Sequence, residues 1–257
     1  MGKDNMMTLQ EVQKLASHCE RQVNLHEAAL SAAYYYRSLP LCIIDAVFSL
    51  GVQYGQVTRA VDRFVDATGW PRYRTHGTPF PPVANQNRID DLLAVFRTHI
   101  SPEIALFGNS GYVNPRAKRA NRILKAKMVL LFADVLSNHH IQHFQNLAAY
   151  ADPEALDAAL CRLPGLSSGI AVDYFRMLAG DDGLVKADRM IHRFIAAAIG
   201  RPVAKDEAID GVRQACHVLS AEYGHLTPRL LDHEIWKCQR NHLRRRTNNK
   251  ELKKEDT

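Results

Sequence analysis

Two short segments of the sequence carry residue types and spacings that could do chemistry. The first, LDAALCRLPGLSSGIAVDYF at 156–175, is typical of a helix, a tight turn at Pro164 and Gly165, and a second helix that begins near Leu166. Glycine allows turns too sharp for other residues, and the amides that open the next helix would point outward together, as phosphate binding requires. Taken alone, the same pattern is also a common corner between two helices.

The second segment, KADRMIHRF at 186–194, places Asp188 at the start of a helix. An aspartate at that position usually accepts hydrogen bonds from the first backbone amides, as an N-cap. The alternative is a catalytic carboxylate, and the choice between the two depends on what else the chain carries.

Helices must position both segments, because apolar residues recur at three-to-four spacing nearly throughout the chain. Windows with this pattern are 123–135, 156–163, 170–178, 190–199, 209–219 and 230–236. No segment alternates convincingly like a β-strand, so the pattern predicts an all-α fold of roughly ten to twelve short helices. The one long non-helical stretch, 70–84, is either a functional loop or a variable surface insertion.

Composition bounds the class of protein. A chain of 257 residues with 46% hydrophobic content can bury a core, which excludes disordered and fibrous proteins. The net charge of +6 must be an excess on some faces, because 27 acidic residues accompany 33 basic ones. Residues 244–257 hold six basic and three acidic residues and almost no apolar ones, which predicts a disordered basic tail.

The cysteines and the apolar runs indicate a compartment. Five scattered cysteines without a C-x-x-C pair argue against a disulfide framework or a metal cluster and fit a reducing compartment. No apolar run suits a signal peptide or a membrane span. We therefore expect a cytoplasmic protein without a membrane partner.

The order and spacing of LPG, the following helix and Asp-x-x-Ile-x-Arg at 188–193 resemble the helix-hairpin-helix DNA glycosylase superfamily. Upstream, CIIDAVFSLGVQYGQVTRAVDRFVDATG at 42–69 is similar to the family's apolar helix that leads into a turn with a glutamine, here Gln53. LTPRLLDHEIW at 226–236 is similar to the closing helix of many members.

The resemblance implies two helical lobes that carry the helix-hairpin-helix motif and have the active-site cleft between them. Residues 1–40 and 186–243 would form a terminal lobe, and residues 41–185 a central lobe with the hairpin at 156–180, followed by the tail at 244–257. In such a protein Asp188 is the catalytic acid and Gln53 lies at the mouth of the base cleft. The implied grip on the DNA backbone comprises Pro164, Gly165, Leu166, Ser167 and Gly169.

The implied activity is that of a monofunctional DNA glycosylase. Such enzymes extrude a modified or mismatched base from double-stranded DNA and hydrolyse its N-glycosidic bond to leave an abasic site, while a carboxylate stabilises the oxocarbenium-like sugar. Bifunctional members carry a lysine where this chain has Gly169, so no Schiff base and no strand cleavage are expected. Only Cys216 and Cys238 lie near the C-terminus, so no iron–sulfur cluster is expected.

Partners and cofactors follow from the same resemblance. We expect a monomer that binds double-stranded DNA without a metal or other cofactor. A monovalent cation could bind at the hairpin, although Ser167 replaces the second glycine of that motif and puts the coordinating geometry in doubt.

Further candidate residues come from composition and spacing. Tyr35 and Tyr36, within the triplet at 34–36, and His192 are candidates for the base pocket, with at least one tyrosine expected in the core. The run NPRAKRANRILKAK at 114–127 would put Lys118, Arg122 and Lys125 on one helix face. Arg122 and Lys125 are therefore candidates for backbone contacts, the alternative being a solvated basic face.

HHIQH at 139–143 offers histidines at spacings that could bind zinc. No further ligand motif accompanies it, and a solvated helix end is favoured.

The substrate stays open at this level. An alkylated purine, an oxidised guanine, a mismatch or a hypermodified phage base would each fit. The last is motivated by the 70–84 insertion and the tyrosines, and it would mean antiviral defence rather than DNA repair. A non-catalytic helix-hairpin-helix DNA-binding protein and a helical scaffold or regulator are the rival functions.

Overall fold

A computed structural model describes residues 6–75, 78, 80–108, 111–115 and 118–255; the side chains of residues 121 and 243–255 are outside the description. Within these ranges the chain forms helices and connecting segments without a named strand, and only two isolated β-bridges occur. The prediction of an all-α fold is confirmed.

Twelve α-helices lie in the described ranges. They are α1 (Leu9–Gln22), α2 (Leu39–Phe48), α3 (Tyr54–Thr68), α4 (Ile89–Arg97), α5 (Pro102–Ala105), α6 (Lys125–Asn138), α7 (Phe144–Ala148), α8 (Pro153–Cys161), α9 (Ile170–Leu178), α10 (Arg189–Ile199), α11 (Lys205–Leu219) and α12 (Pro228–Glu255). Short 3-10 helices lie at Ala32–Tyr34, Val83–Asn85 and Arg119–Asn121.

The chain divides into two compact units: a central unit, Ser31–Gly180, and a terminal unit, Met1–Leu30 with Asp181–Thr257. The chain passes from one unit to the other at Ser31 and again at Asp181. The sequence suggested these boundaries at residues 41 and 186.

The central unit is built around α2, whose ten residues are all buried. A helix that is apolar on every side is stable only inside a core. Helices α3, α6 and α9 pack on α2, and α4 packs on α6. The central unit therefore encloses the one polar residue of α2, Asp45.

In the terminal unit, α1 packs on α10 and α11, and α12 packs on α10 and α11. A capping box between Thr8 and Glu11 starts α1. Arg201 joins the two ends of the unit, because its guanidinium binds Glu11 on α1 at 2.7 Å and Glu207 on α11 at 2.6 Å.

Helix α12 continues through residues 244–255, where the composition suggests a disordered tail. These residues include no glycine or proline, so nothing in the sequence ends the helix that begins at Pro228. Residues 256 and 257 lie outside the described residues.

The stretch 70–84 is tied to the central unit at several points. Arg72 forms an ion pair with Asp62 of α3, and the guanidinium of Arg74 lies 4.8 Å from the centre of the Phe80 ring and 5.2 Å from that of Phe144. Phe80 in turn stacks on Phe144 at 4.6 Å. These aromatic and cation–π contacts add to the backbone hydrogen bonds that join Arg72 and Arg74 to residues 35–37.

In the described part of the chain, no helix combines the length and the apolar character needed to cross a bilayer.

Candidate functional site

The hairpin segment consists of two successive turns between α8 and α9. The N–H of Leu166 donates to the carbonyl of Leu163 at 3.1 Å, and the N–H of Gly169 donates to the carbonyl of Leu166 at 2.9 Å. Gly165 and Gly169 have φ of 81° and 73°, a left-handed conformation that favours glycine. Because Gly169 is the N-cap of α9, this helix begins at Ile170 and not near Leu166.

The turns separate the predicted DNA contacts into two groups. Pro164, Gly165 and Ser167 are exposed, and their side chains and backbone can meet a phosphate. Leu166 and Gly169 are buried, and their N–H groups are already bonded inside the hairpin. The two buried residues therefore shape the hairpin and do not offer amides to DNA.

Gly165 packs against Val113. A Cβ atom at Gly165 would lie 2.2 Å from Cγ1 of Val113, a distance that no side chain allows. Val113 is held by a backbone hydrogen bond to the carbonyl of Ile123 at 2.9 Å, and the N–H of Lys125 donates to the carbonyl of Gly111 at 2.8 Å. The exposed turn of the hairpin thus lies against the segment that leads through the basic run.

The basic run is not one helix face. Residues Arg119–Asn121 form a 3-10 turn, Arg122 is extended, and α6 begins only at Lys125. Lys118, Arg119 and Arg122 are exposed, and the guanidinium of Arg122 lies 5.6 Å from the centre of the Tyr112 ring. Arg116, which also belongs to the run, lies outside the described residues.

Lys125 departs from its predicted role. The residue is buried, and its Nζ donates to the carbonyls of Phe48 at 2.9 Å and Leu50 at 2.8 Å. Burial lowers the pKa of this ammonium to about 8. Its charge therefore serves the C-terminal end of α2, as expected for a cation near the negative end of a helix dipole, and is not presented to a phosphate.

Gln53 is the N-cap residue of α3, yet its side chain forms no capping hydrogen bond and is exposed. A helix-capping role therefore does not account for the side-chain amide of Gln53. Its position at the start of α3 leaves it accessible to a ligand of the central unit.

A buried carboxylate organises the tyrosines of the central unit. Asp45 is 1% exposed, and its Oδ2 accepts a hydrogen bond from the hydroxyl of Tyr36 at 2.7 Å. Tyr36 is itself 2% exposed and stacks on Tyr73 at 5.7 Å. Tyr36 is thus the core member of the triplet, whereas Tyr35 is half-buried with the guanidinium of Arg74 above its ring.

Three further tyrosines approach the same carboxylate. Burial and the charge of Asp45 raise the pKa of Tyr54 to about 12 and that of Tyr174 well above the usual value, and Tyr73 shifts in the same direction. Tyr34 stacks on Tyr54 at 6.3 Å. Sequence reasoning missed Asp45 as the centre of this group, although a single aspartate inside an otherwise apolar helix was a usable signal.

In the terminal unit, Asp188 is the N-cap of α10. Its Oδ1 accepts hydrogen bonds from the N–H groups of Met190 at 2.7 Å and Ile191 at 3.4 Å, and the side chain is half-buried. His192, one turn later, is also half-buried and donates its N–H to the carbonyl of Asp188. The capping contacts orient the carboxylate without excluding a second role.

A second carboxyl of the terminal unit, that of Asp232 on α12, was not recognised from the sequence. It is 6% exposed, and its Oδ1 accepts a hydrogen bond from the N–H of Lys186 at 3.1 Å. Burial, reinforced by the negative charge of Asp188, raises the pKa of Asp232 well above its usual value. Asp232 lies in LTPRLLDHEIW at 226–236, but the resemblance of that segment assigns it no role.

The histidines of HHIQH are engaged in local contacts. Nδ1 of His139 lies 2.5 Å from the hydroxyl of Tyr150, and His143 is the N-cap residue of α7. Among the described residues, no group of three or more His, Cys, Asp or Glu side chains could hold a metal ion.

The sequence matches a family described as a domain of unknown function (DUF8548) over residues 13–240. The chain belongs to this family. Comparison with curated proteins and with solved structures finds no significant match.

Proposed function

We propose that this protein is a monofunctional DNA glycosylase that hydrolyses the N-glycosidic bond of an extruded base and leaves an abasic site. The observation that carries the proposal is the contact of Gly165 with Val113, since it sets an exposed hairpin turn against a segment with exposed cations. Backbone amides and basic side chains are groups that contact the phosphates of a duplex.

The DNA-contacting set is Pro164, Gly165, Ser167, Lys118, Arg119 and Arg122. The turn supplies backbone amides and the Ser167 hydroxyl, and Arg122, placed over the Tyr112 ring, supplies charge together with a flat surface. These groups give affinity and register but do not read the base.

The tyrosine group around Asp45 supports a base pocket in the central unit. Half-buried Tyr34, Tyr35 and Tyr54 offer aromatic faces to a planar ring. Asp45 fixes the buried Tyr36 through a hydrogen bond, so the residues that support the proposed pocket are held in place.

Asp188 is the proposed catalytic residue. Ionised, its carboxylate would stabilise the positive charge that develops on the sugar as the bond to the base breaks. The oxygen of water would bond to the anomeric carbon, and the base would leave with the bonding electrons and take up the proton that the water releases. Water is the only co-reactant, and we place the reaction in the cytoplasm on DNA bound by a monomer.

The test is Asp188→Asn compared with wild type. Asparagine is as good an N-cap as aspartate, so folding and DNA affinity should be retained while base release falls by at least about 100-fold. Base release is measured as alkali-sensitive abasic sites on a panel of lesion-bearing duplexes and on hypermodified phage DNA, with mass spectrometry of the freed base.

Asp206→Asn, at an exposed position on α11, is the matched control and should release bases like wild type. Full activity of Asp188→Asn would remove the assignment. Salt-sensitive duplex binding without base release from any substrate would instead favour a non-catalytic DNA-binding protein.

A further inference from the structure

Building on the function proposed above, we propose that Asp232 is a positioning residue for Asp188, which holds the turn before α10 with a neutral carboxyl group and leaves Asp188 as the sole anion of the pair. Asp232 is a buried group to which the glycosylase resemblance assigns no role.

The geometry begins with a chain of two hydrogen bonds. Oδ1 of Asp232 accepts from the N–H of Lys186 at 3.1 Å, and the carbonyl of Lys186 accepts from the N–H of Asp188 at 2.6 Å. The N–H and the carbonyl of Lys186 are therefore both hydrogen-bonded. The turn that aims Asp188 is consequently tied to α12 through one carboxyl oxygen.

Neighbouring contacts hold the rest of the segment that leads into this turn. Arg229, one turn before Asp232 on α12, donates from its backbone N–H to the carbonyl of Asp182 and from its guanidinium to Oδ1 of the same residue, both at 3.1 Å. Arg213 of α11 donates to the carbonyl of Gly183 at 3.0 Å. Because two helices hold residues 182–186, a loss at Asp232 releases the turn locally and does not unfold the segment.

Burial and the charges around Asp232 explain why the pKa of its carboxyl group is raised. Burial disfavours the anion, and the negative charge of Asp188 at the start of α10 adds to this. Lys186 in the connecting segment and Arg229 on α12 act in the opposite direction, but both are weaker than burial. His233, next to Asp232 on α12, has a pKa lowered to about 4 by burial and by nearby cations, so it is uncharged at neutral pH.

The raised pKa of Asp232 matters for the proposed reaction. While Asp232 holds its proton, it adds no second negative charge near the start of α10. The half-buried Asp188 is then the carboxylate that would face a cationic sugar. Asp232 itself touches neither water nor substrate in this scheme.

Two variants test separately the hydrogen bond that Asp232 accepts from Lys186 and the proton that its carboxyl group carries. Asp232→Asn keeps an oxygen that accepts from Lys186 and is always neutral, whereas Asp232→Leu removes the acceptor and keeps the branched shape of the side chain. At pH 7 we expect Asp232→Asn to release bases within about threefold of wild type. Asp232→Leu should lose about 10- to 100-fold in kcat with KM unchanged, because the carboxylate of Asp188 is no longer aimed.

The dependence of kcat on pH is a measurement that a purely structural role of Asp232 would not change. Wild-type kcat should fall as pH rises through the raised pKa of Asp232, and this fall should be absent in Asp232→Asn. A loss in Asp232→Asn as large as that in Asp188→Asn, or full activity of Asp232→Leu, overturns the proposal.

A second measurement does not depend on activity. A group whose pKa is raised on folding contributes stability that is present below its unfolded pKa and is lost as pH rises through its folded pKa. The free energy of unfolding of Asp232→Asn should therefore increase relative to wild type as pH rises above the ordinary carboxyl pKa of 3.8. A difference that stays flat or has the opposite sign shows an ordinary or ionised Asp232 and overturns the proposal.

Base release and the pH dependence of unfolding together distinguish a failure of the proposed function from a failure of the role of Asp232. If wild type releases no base, the function proposed above fails, and the pH dependence of unfolding still decides whether Asp232 is the neutral member of the pair. If wild type releases bases and the unfolding difference is flat, only the role of Asp232 fails.

Discussion

At the scale of single residues, burial separates charges that the sequence presents as equivalent. Arg122 and Lys125 lie in one basic run, yet Arg122 is exposed and Lys125 is buried with its ammonium on the carbonyls of Phe48 and Leu50. A count of cations therefore overstates the charge available to DNA. The position of each side chain relative to the core decides what its charge does.

Lys125→Met tests this assignment. Two carbonyls at the end of α2 would lose their donor, so the variant should lose about 1–3 kcal/mol of stability at pH 7. Wild-type stability should rise between about pH 8 and about pH 10.5, because the unfolded lysine still binds a proton that the folded one has released. That rise should be missing in Lys125→Met, as measured by urea denaturation at a series of pH values.

Arg122→Gln is the matched variant from the same run. It should leave the urea midpoint unchanged and reduce the slope of log affinity against log salt by about 0.9. Lys125→Met should leave that slope unchanged. The reverse pattern, with a salt effect at Lys125 and a stability effect at Arg122, would contradict both placements.

At the scale of elements, the hairpin depends on one close approach. Gly165 combines a φ of 81° with a position against Cγ1 of Val113, so its backbone conformation and the space around it both require glycine. Through Val113 the turn is joined to the paired segments 111–113 and 123–125. The hairpin and the basic segment should consequently respond together when this contact is broken.

Gly165→Ala should show that response. Gly51→Ala is the control, since Gly51 has a φ of 69° and nothing within 4 Å of an added Cβ. Left-handed strain alone should cost about 1 kcal/mol in the control, and the clash with Val113 should cost Gly165→Ala at least about 1 kcal/mol more. Duplex affinity should fall only in Gly165→Ala.

The rescue variant Gly165→Ala with Val113→Ala sharpens this test. Removing the Val113 methyl groups should recover most of the extra loss measured by thermal unfolding. Equal losses in Gly165→Ala and Gly51→Ala would mean that the Val113 contact contributes nothing.

At the scale of the whole molecule, the terminal unit is assembled from the two ends of the chain. Arg201 joins them, because it binds Glu11 and Glu207, residues that are 190 and 6 positions away in sequence. Its hydrogen bonds lower the pKa of Glu11 to about 2. The ion pair between Arg201 and Glu11 therefore makes the stability of the terminal unit depend on pH in the acid range.

Arg201→Gln tests that dependence. A carboxylate whose pKa is lowered on folding contributes stability above its unfolded pKa of 4.5 and loses it as pH falls toward about 2. Wild type should therefore be more stable than Arg201→Gln at pH 7, and the urea midpoints of the two should converge toward pH 2. Exposed Arg193→Gln should track wild type, and a gap that persists at pH 2 would exclude the ion pairs as its cause.

The sequence by itself determined the helical class and much of the helix order. Apolar spacing predicted 170–178 and 190–199, which lie in α9 and α10, because the face that a helix buries leaves a period in its sequence. The turn at Pro164 and Gly165 and the position of Asp188 at a helix start were also readable, since they depend on local backbone chemistry.

Tertiary structure alone decided which of these residues meet. The side chain of Lys125 caps the C-terminal end of α2, and Arg122 does not lie on the predicted helix face. Asp45 and Asp232 are buried carboxyl groups. Each outcome depends on neighbours that are distant in sequence: Phe48 for Lys125, Gly111 for the start of α6, and Lys186 for Asp232. Burial and pairing across such distances leave no periodic signal, so only the packed chain reveals them.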